Sequence, residues 1–233
     1  MEGRIALVTG ASRGIGRAAA LALAHAGAHV IAVARNTGAL EELDDEIQKG
    51  GGAATLVPLN LRDFTALDRL GQSLFDRWGR LDAFLGNAGS LGVLTPLTHL
   101  EPKVFQELIE VNVIANWRLI RSLDPLLKQS DAGRALFVSS GAARKNYAFW
   151  GGYAMSKAAL ESLALTYAAE CETTKVRVNL LNPGPVRTAM RARAMPGEDP
   201  ETLPKPEALA PLIVDLLSPA NMKNGELISF KPA

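Results

Sequence analysis

Short runs of uninterrupted apolar residues alternate along this chain with longer segments in which apolar and polar residues mix at helical spacing. Residues Arg4-Ile5-Ala6-Leu7-Val8 read as a buried strand, and the segment through Ala18, Leu21, Ala22 and Leu23 as the helix that follows it. The same pattern predicts strand 29–34, helix 39–49, strand 54–59, helix 64–78 and strand 83–86, with Gly50-Gly51-Gly52 and Gly79 as stops. Further on it predicts helix 104–127, strand 135–138, helix 153–172, strand 177–181, helix 207–217 and strand 226–230. Strands so regularly separated by helices favour a parallel sheet with crossover helices. No internal repeat, low-complexity tract or linker divides the pattern, so one domain over residues 1–233 is the economical reading.

Composition narrows the class further. A chain of 233 residues with 48% apolar content can bury a sizeable α/β core. A formal net charge of +1 gives no reason to invoke nucleic acid or an acidic membrane surface. With the first strand almost at Met1, no room is left for a signal peptide, and no apolar run is long enough to span a bilayer, so a cytoplasmic protein is expected. Cys171 is the single cysteine; beside Ala168, Ala169 and Glu170 it reads as a packed small residue. His25, His29 and His99 are scattered, and no metal site is expected.

Two motifs carry chemistry. Thr9-Gly10-Ala11-Ser12-Arg13-Gly14-Ile15-Gly16 follows the first strand directly and opens the first helix. Glycines at such a turn let backbone N–H groups approach a pyrophosphate and place the anion at the positive end of the helix. The spacing is G-x-x-x-G-x-G, and three glycines exceed what turning the chain requires. In the second half, Tyr153-Ala154-Met155-Ser156-Lys157 puts Tyr and Lys four apart, so a helix sets an ammonium beside a phenol. A nearby positive charge lowers a phenolic pKa from its ordinary value of about 10, toward one useful for proton transfer.

With these motifs at its two ends, the sequence resembles the short-chain dehydrogenase/reductase family over nearly its whole length. Asn87-Ala88-Gly89 follows the apolar run 83–86, Asn112 lies in Val111-Asn112-Val113, Ser140 ends the strand before Tyr153, and Pro183-Gly184-Pro185-Val186-Arg187-Thr188 matches the family's Pro-Gly-x-Val-x-Thr turn. The resemblance implies an α/β fold: a single doubly wound Rossmann-type domain with a seven-stranded parallel sheet flanked by helices on both faces. It implies a cofactor half at roughly 1–130, a catalytic and substrate half at roughly 131–233, and a lid over 189–206. Tyr153 would exchange a proton with the substrate oxygen, Lys157 would tune Tyr153 and hold the nicotinamide ribose, and Ser140 would hydrogen-bond the same oxygen. Asn112, at a local break in its helix, would hold a water. The cofactor would meet Gly10, Ser12, Arg13, Gly14, Ile15, Gly16, Arg35, Asn60, Leu61, Asn87, Ala88, Gly89, Tyr153, Lys157, Pro183, Gly184, Val186 and Thr188.

Cofactor choice follows from the end of the second strand, where a carboxylate would accept the ribose hydroxyls of NAD and repel the extra phosphate of NADP. Here Val33-Ala34-Arg35-Asn36 carries no acid, and Arg13 supplies a second guanidinium from the glycine turn, so NADP(H) is preferred, with NAD(H) possible. Two positions depart from the family pattern. Asn60 stands in place of an aspartate at the adenine, and Gly86 in place of the first asparagine of Asn-Asn-Ala-Gly.

Tyr147, Phe149 and Trp150 lie between Ser140 and Tyr153, where the family lines its substrate pocket, although loop aromatics equally suit a subunit contact. Met190 in the lid joins Tyr147 and Trp150 as a substrate candidate. Arg144, Lys145, Arg187, Arg191 and Arg193 read as solvated charge, with an anionic substrate the alternative. Ser139 would alternate to the far face of its strand and be structural. The expected activity is an NADP(H)-dependent carbonyl reductase or alcohol dehydrogenase acting on a small molecule. The alternatives are a dinucleotide-sensing binding protein and a lyase or epimerase on the same scaffold. A homodimer or homotetramer is expected, joined through the helices 104–127 and 153–172.

Overall fold

The computed structural model describes residues 1–232. Strands β1 Ile5–Thr9, β2 His29–Ala34, β3 Ala53–Pro58, β4 Ala83–Gly86, β5 Arg134–Val138, β6 Arg177–Asn182 and β7 Leu227–Ser229 form one parallel sheet in the order β3-β2-β1-β4-β5-β6-β7. The helices are α1 Gly14–His25, α2 Thr37–Lys49, α3 Phe64–Trp78, α4 Pro102–Ile109, α5 Ala115–Gln129, α6 Gly151–Glu170, α7 Ala189–Ala194 and α8 Ala210–Leu217.

The central strands are apolar but for their ends, because successive side chains enter two different cores. Ile5 and Leu7 pack in the layer of Leu67 from α3, Leu119 from α5 and Leu160 from α6. Ala6 and Val8 face the opposite layer, with Ala19 from α1, Leu40 from α2 and Ile213 from α8. Leu7 lies in register with Ile31 on one side and Phe84 on the other, and Phe84 meets Phe137 edge to face at 5.5 Å. Local chemistry sets the helix starts. The Asn36 side chain accepts from the Ala39 N–H and begins α2 two residues ahead of the predicted 39, and Asp63 caps α3 through the Ala66 N–H.

From β1 the chain winds outward through β2 and β3, then returns to place β4 on the other side of β1. Loops leaving the carboxyl ends of β1 and β4 diverge there and open a crevice, the usual ligand position in such sheets.

The helix predicted over 104–127 is interrupted at Asn112, where the family resemblance implied a local break, although the apolar pattern gave no sign of it. A π-helical turn, Glu110–Ile114, separates α4 from α5. One extra residue in a turn barely disturbs apolar spacing, so periodicity cannot register it. The predicted 207–217 helix likewise starts as a 3₁₀ turn, Pro206–Leu209, before α8. Among the described residues no helix is long and apolar enough to cross a membrane.

Candidate active site

At the β1 end the crevice is floored by tightly packed backbone. Gly10 has φ +68°, and a Cβ on it would sit 2.9 Å from Asn87 Nδ2. A Cβ on Gly16 would lie 2.3 Å from the Gly10 carbonyl oxygen, closer than any real contact, so only glycine lets α1 start against the end of β1. The first turn of α1 carries no acidic residue and no side-chain cap, which leaves its N–H groups for an anion. Thr9, absent from the sequence-predicted site, locks this floor. Its buried hydroxyl donates to the Leu85 carbonyl at 3.2 Å and accepts from the Asn87 and Ala88 N–H groups at 3.0 and 3.1 Å. The signal was a lone polar residue closing an apolar strand.

Around that floor the predicted cofactor residues gather. Asn87 donates from Nδ2 to the Thr9 carbonyl at 2.9 Å. Thr188 lies over the glycine turn, its methyl 3.4 Å from where a Gly14 Cβ would stand, while its hydroxyl caps α7 by accepting from the Arg191 N–H. Pro183 and Val186 are buried beside it, and Gly184, at φ +65°, turns the chain under the Asn182 carboxamide, which accepts the Gly184 N–H at 3.2 Å. Ser12 and Ile15 are half-buried in the turn. Arg13 and Arg35 are both exposed and form no ion pair among the described residues. Leu61 is buried; Asn60 is exposed and accepts the Arg62 N–H on Oδ1, leaving its amide nitrogen free. Gly86 has its own reason. A side chain there would meet Phe137 at 2.8 Å and Asn116 at 3.0 Å, residues that fill the space an asparagine would take.

At the β5 end the polar groups are buried. Tyr153 and Lys157 lie on one side of α6, with Lys157 Nζ 6.0 Å from the Tyr153 ring centre. Nζ donates to the Val138 carbonyl at 2.9 Å, which leaves two of its three protons for other acceptors. Asn112 sits in the π-helical turn, where its Oδ1 accepts from the Ser90 N–H at 2.8 Å and Nδ2 donates to the Ser90 carbonyl and to Ser156 Oγ at 2.9 and 2.8 Å. With both Nδ2 protons spent, its side chain is a staple between loop and helix. The main-chain carbonyl of Asn112 accepts from Asn116 Nδ2 at 3.0 Å. Gly89 lets these groups converge, since a Cβ on it would stand 3.2 Å from Asn112 Oδ1 and 3.4 Å from Lys157 Nζ.

Electrostatics here correct one expectation. Burial pushes the Tyr153 phenol above its usual value, and the neighbouring Ser140 hydroxyl pulls it part of the way back. The ammonium does not bring it down, because burial dominates and Nζ is directed at the Val138 carbonyl. Burial also lowers Lys157 to about 8, opposed by the charge of Glu161. Ser140 is half-buried and accepts the Ala142 N–H at 3.2 Å, whereas Ser139 donates to the Glu161 carboxylate at 2.6 Å, away from Tyr153.

Above Tyr153 the walls are apolar. Leu91, Leu108, Ala142 and Tyr153 form a small buried cluster, with Leu94, Trp150, Met190 and Ala194 packed against it. Trp150 stands edge-on to Tyr153 at 6.0 Å and touches Tyr147, half exposed, at a similar distance. Phe149 is more exposed still and has φ +73°. The lid is laced by its own charges, with Arg187 paired to Glu201 and Arg191 to Glu198, both in two-pronged contacts. Arg144 is paired to Glu161 and Arg193 donates to the Gly92 carbonyl, so these arginines are engaged within the fold. On the outward side of α6, Ala158, Glu161, Ser162, Leu165, Thr166 and Ala169, together with Arg144, line an open groove.

The family model for short chain dehydrogenases matches residues 4–199 of this chain. The chain belongs to the short-chain dehydrogenase family. It is 40% identical, over all of its length and 93% of the relative's, to the uncharacterized oxidoreductase YciK of Escherichia coli K12. Among solved structures of the family, a short chain dehydrogenase of Shigella flexneri 2a complexed with NADP superposes with a TM-score of 0.94 at 39% identity, covering 98% of this chain and 97% of that one. Another, from Escherichia coli CFT073 and complexed with NADPH, gives 0.92 at 40% identity over 98% and 97% of the two chains. Like them, this short-chain dehydrogenase is an oxidoreductase by family, with the same doubly wound fold.

Proposed function

We propose that the protein reduces uncharged, apolar or aromatic ketones with NADPH, with Tyr153 as the proton donor. The observation that carries this reading is the buried Tyr153 phenol, held above its usual pKa, beneath an apolar wall of Leu91, Leu94, Trp150 and Met190. A phenol in that state is protonated at neutral pH, the form that delivers a proton to a carbonyl oxygen. Ser140 hydrogen-bonds the same oxygen and stabilises charge as it develops there. Lys157 keeps its ammonium near the phenol and, with the protons not spent on Val138, holds the ribose. Asn112 would hold a water and fixes α6 through Ser156.

NADPH, when bound, supplies the hydride. The fit to this cofactor rests on three features of the crevice: the glycine floor that a Cβ would fill, the anion-ready first turn of α1, and exposed, unpaired Arg13 and Arg35 with no acid at the end of β2. The complexes of the two relatives with NADP and NADPH agree with it. Because Arg187, Arg191 and Arg144 are neutralised by their own carboxylates, an anionic substrate finds no free cation among them. The complete Tyr153, Lys157, Ser140 and Asn112 set favours turnover over a purely sensing role. The open groove along α6, where Ala158, Ser162 and Ala169 allow close approach, suits a second copy of the same helix, and light scattering should return two or four times 24.8 kDa.

The deciding experiment follows NADPH consumption with benzil, an uncharged diketone, against phenylglyoxylate, its carboxylate-bearing counterpart. Benzil should be reduced and phenylglyoxylate should not, with NADPH favoured over NADH. Equal rates on the two, or none on benzil, would refute the substrate assignment.

A further inference from the structure

Glu161 is a buried carboxylate that the reading above does not use. One oxygen accepts from Ser139 Oγ at 2.6 Å and the other from Arg144 Nε at 2.8 Å. These two partners bracket Ser140 in the chain, one residue before it and four after, around the 3₁₀ turn Gly141–Ala143 that Ser140 itself caps. Glu161 lies one helical turn beyond Lys157 and two beyond Tyr153, on the same stripe of α6.

We propose that Glu161 is a positioning residue for the reaction: its carboxylate fastens both ends of the Ser139–Arg144 segment to α6 and so holds the Ser140 hydroxyl against the Tyr153 phenol. This rests on the reading of Tyr153 and Ser140 as the groups that face the substrate oxygen. Two observations favour a positioning task over simple packing. A buried carboxylate is costly to desolvate and apolar side chains would fill the space at least as stably, whereas two directional, charge-assisted bonds define an orientation that apolar contacts do not. The chain from Arg144 through Phe149 is exposed, so beyond the buried Ala142 the Arg144 end of the segment has no apolar anchor of its own. Arg144 and Lys157 are the charged groups facing Glu161, and its negative charge holds Lys157 up against the effect of burial. Removing that charge therefore moves the loss of the Lys157 proton to lower pH.

The test compares Glu161→Ala, Glu161→Gln, Ser139→Ala and Tyr153→Phe with the parent in NADPH-dependent reduction of benzil, with NADPH affinity read by fluorescence titration. Misplacing Ser140 in Glu161→Ala should lower kcat by about 10–100-fold while NADPH affinity stays within about twofold. Glu161→Gln, which keeps the shape, should recover part of that rate, yet both variants should lose activity at lower pH on the alkaline side than the parent. A crystal structure of Glu161→Ala should show the Ser140 side chain moved from the Tyr153 phenol. Parent-like kcat and alkaline limb in Glu161→Ala, alongside an inactive Tyr153→Phe, would overturn the proposal and leave the reading of Tyr153 intact. An active Tyr153→Phe would overturn that reading instead. Should Glu161→Ala fail to fold, Glu161→Gln and Ser139→Ala decide: parent-like rates and pH profiles in both would refute the clamp, and slowed turnover with intact NADPH binding would support it.

Discussion

At the β1–β2 end of the crevice, recognition is left to backbone and to exposed cations, whereas at the β5–α6 end the polar side chains are withdrawn from water and held on several sides. Gly10 and Gly16 shape the first region by having no side chain, and Arg13 and Arg35 reach into solvent unpaired. In the second, Asn112, Ser156 and Glu161 are buried, and each is fixed by two or more hydrogen bonds. Exposed charges act through a screened field and contribute selectivity in modest steps. Buried polar groups are strongly coupled, so loss of one partner strands another at high cost. The first region is therefore open to retuning, and the second is not.

That contrast can be broken at three points. The largest effect belongs to Tyr153→Phe, which removes only the transferable proton. Steady-state kinetics on a ketone should show a loss of about 10²–10⁴-fold in kcat, with NADPH affinity unchanged by titration. Next comes pH. Burial lowers Lys157 to about 8, so it is charged below that value and neutral above it. Turnover that needs the ammonium should decline as pH rises through about 8, and a profile flat across that range would sever the link. The same group makes stability rise with pH between about 8 and its ordinary 10.5, since there the unfolded chain holds a proton that the folded one has lost. Chemical denaturation across this window should show a more positive slope of stability with pH in the parent than in Lys157→Met. The smallest change belongs to the exposed end. Arg35→Asp should shift the NADPH-to-NADH ratio of kcat/KM by about 10–100-fold, the worth of one charge-assisted contact, and added salt should shrink the parent's preference.

The catalytic candidates were legible because chemistry demands particular residue types at particular spacings: Tyr153 and Lys157 one helical turn apart, and three glycines between a strand and a helix. Glu161 and Thr9 were not, since a glutamate on a helix and a threonine ending a strand are ordinary until tertiary structure brings Ser139 and Arg144 to the one and Asn87 to the other. The direction of the Tyr153 shift was also out of reach. Spacing places a charge beside a phenol, but only the fold tells how deeply both are buried and that Val138 takes the ammonium.

Sequence alone thus determined the order of the strands and of most helices, the glycine floor and the candidate proton-transfer pair, because these depend on local periodicity, on the size of a side chain and on spacing within one helix. Tertiary structure decided what depends on residues far apart in the chain. It made the expected break at Asn112 a π-helical turn, where Ser90 and Ser156 claim the carboxamide, and filled the place of a missing asparagine at Gly86 with Phe137 and Asn116. It also set the charge states of the site, for desolvation belongs to the whole packed core and to no single stretch of sequence.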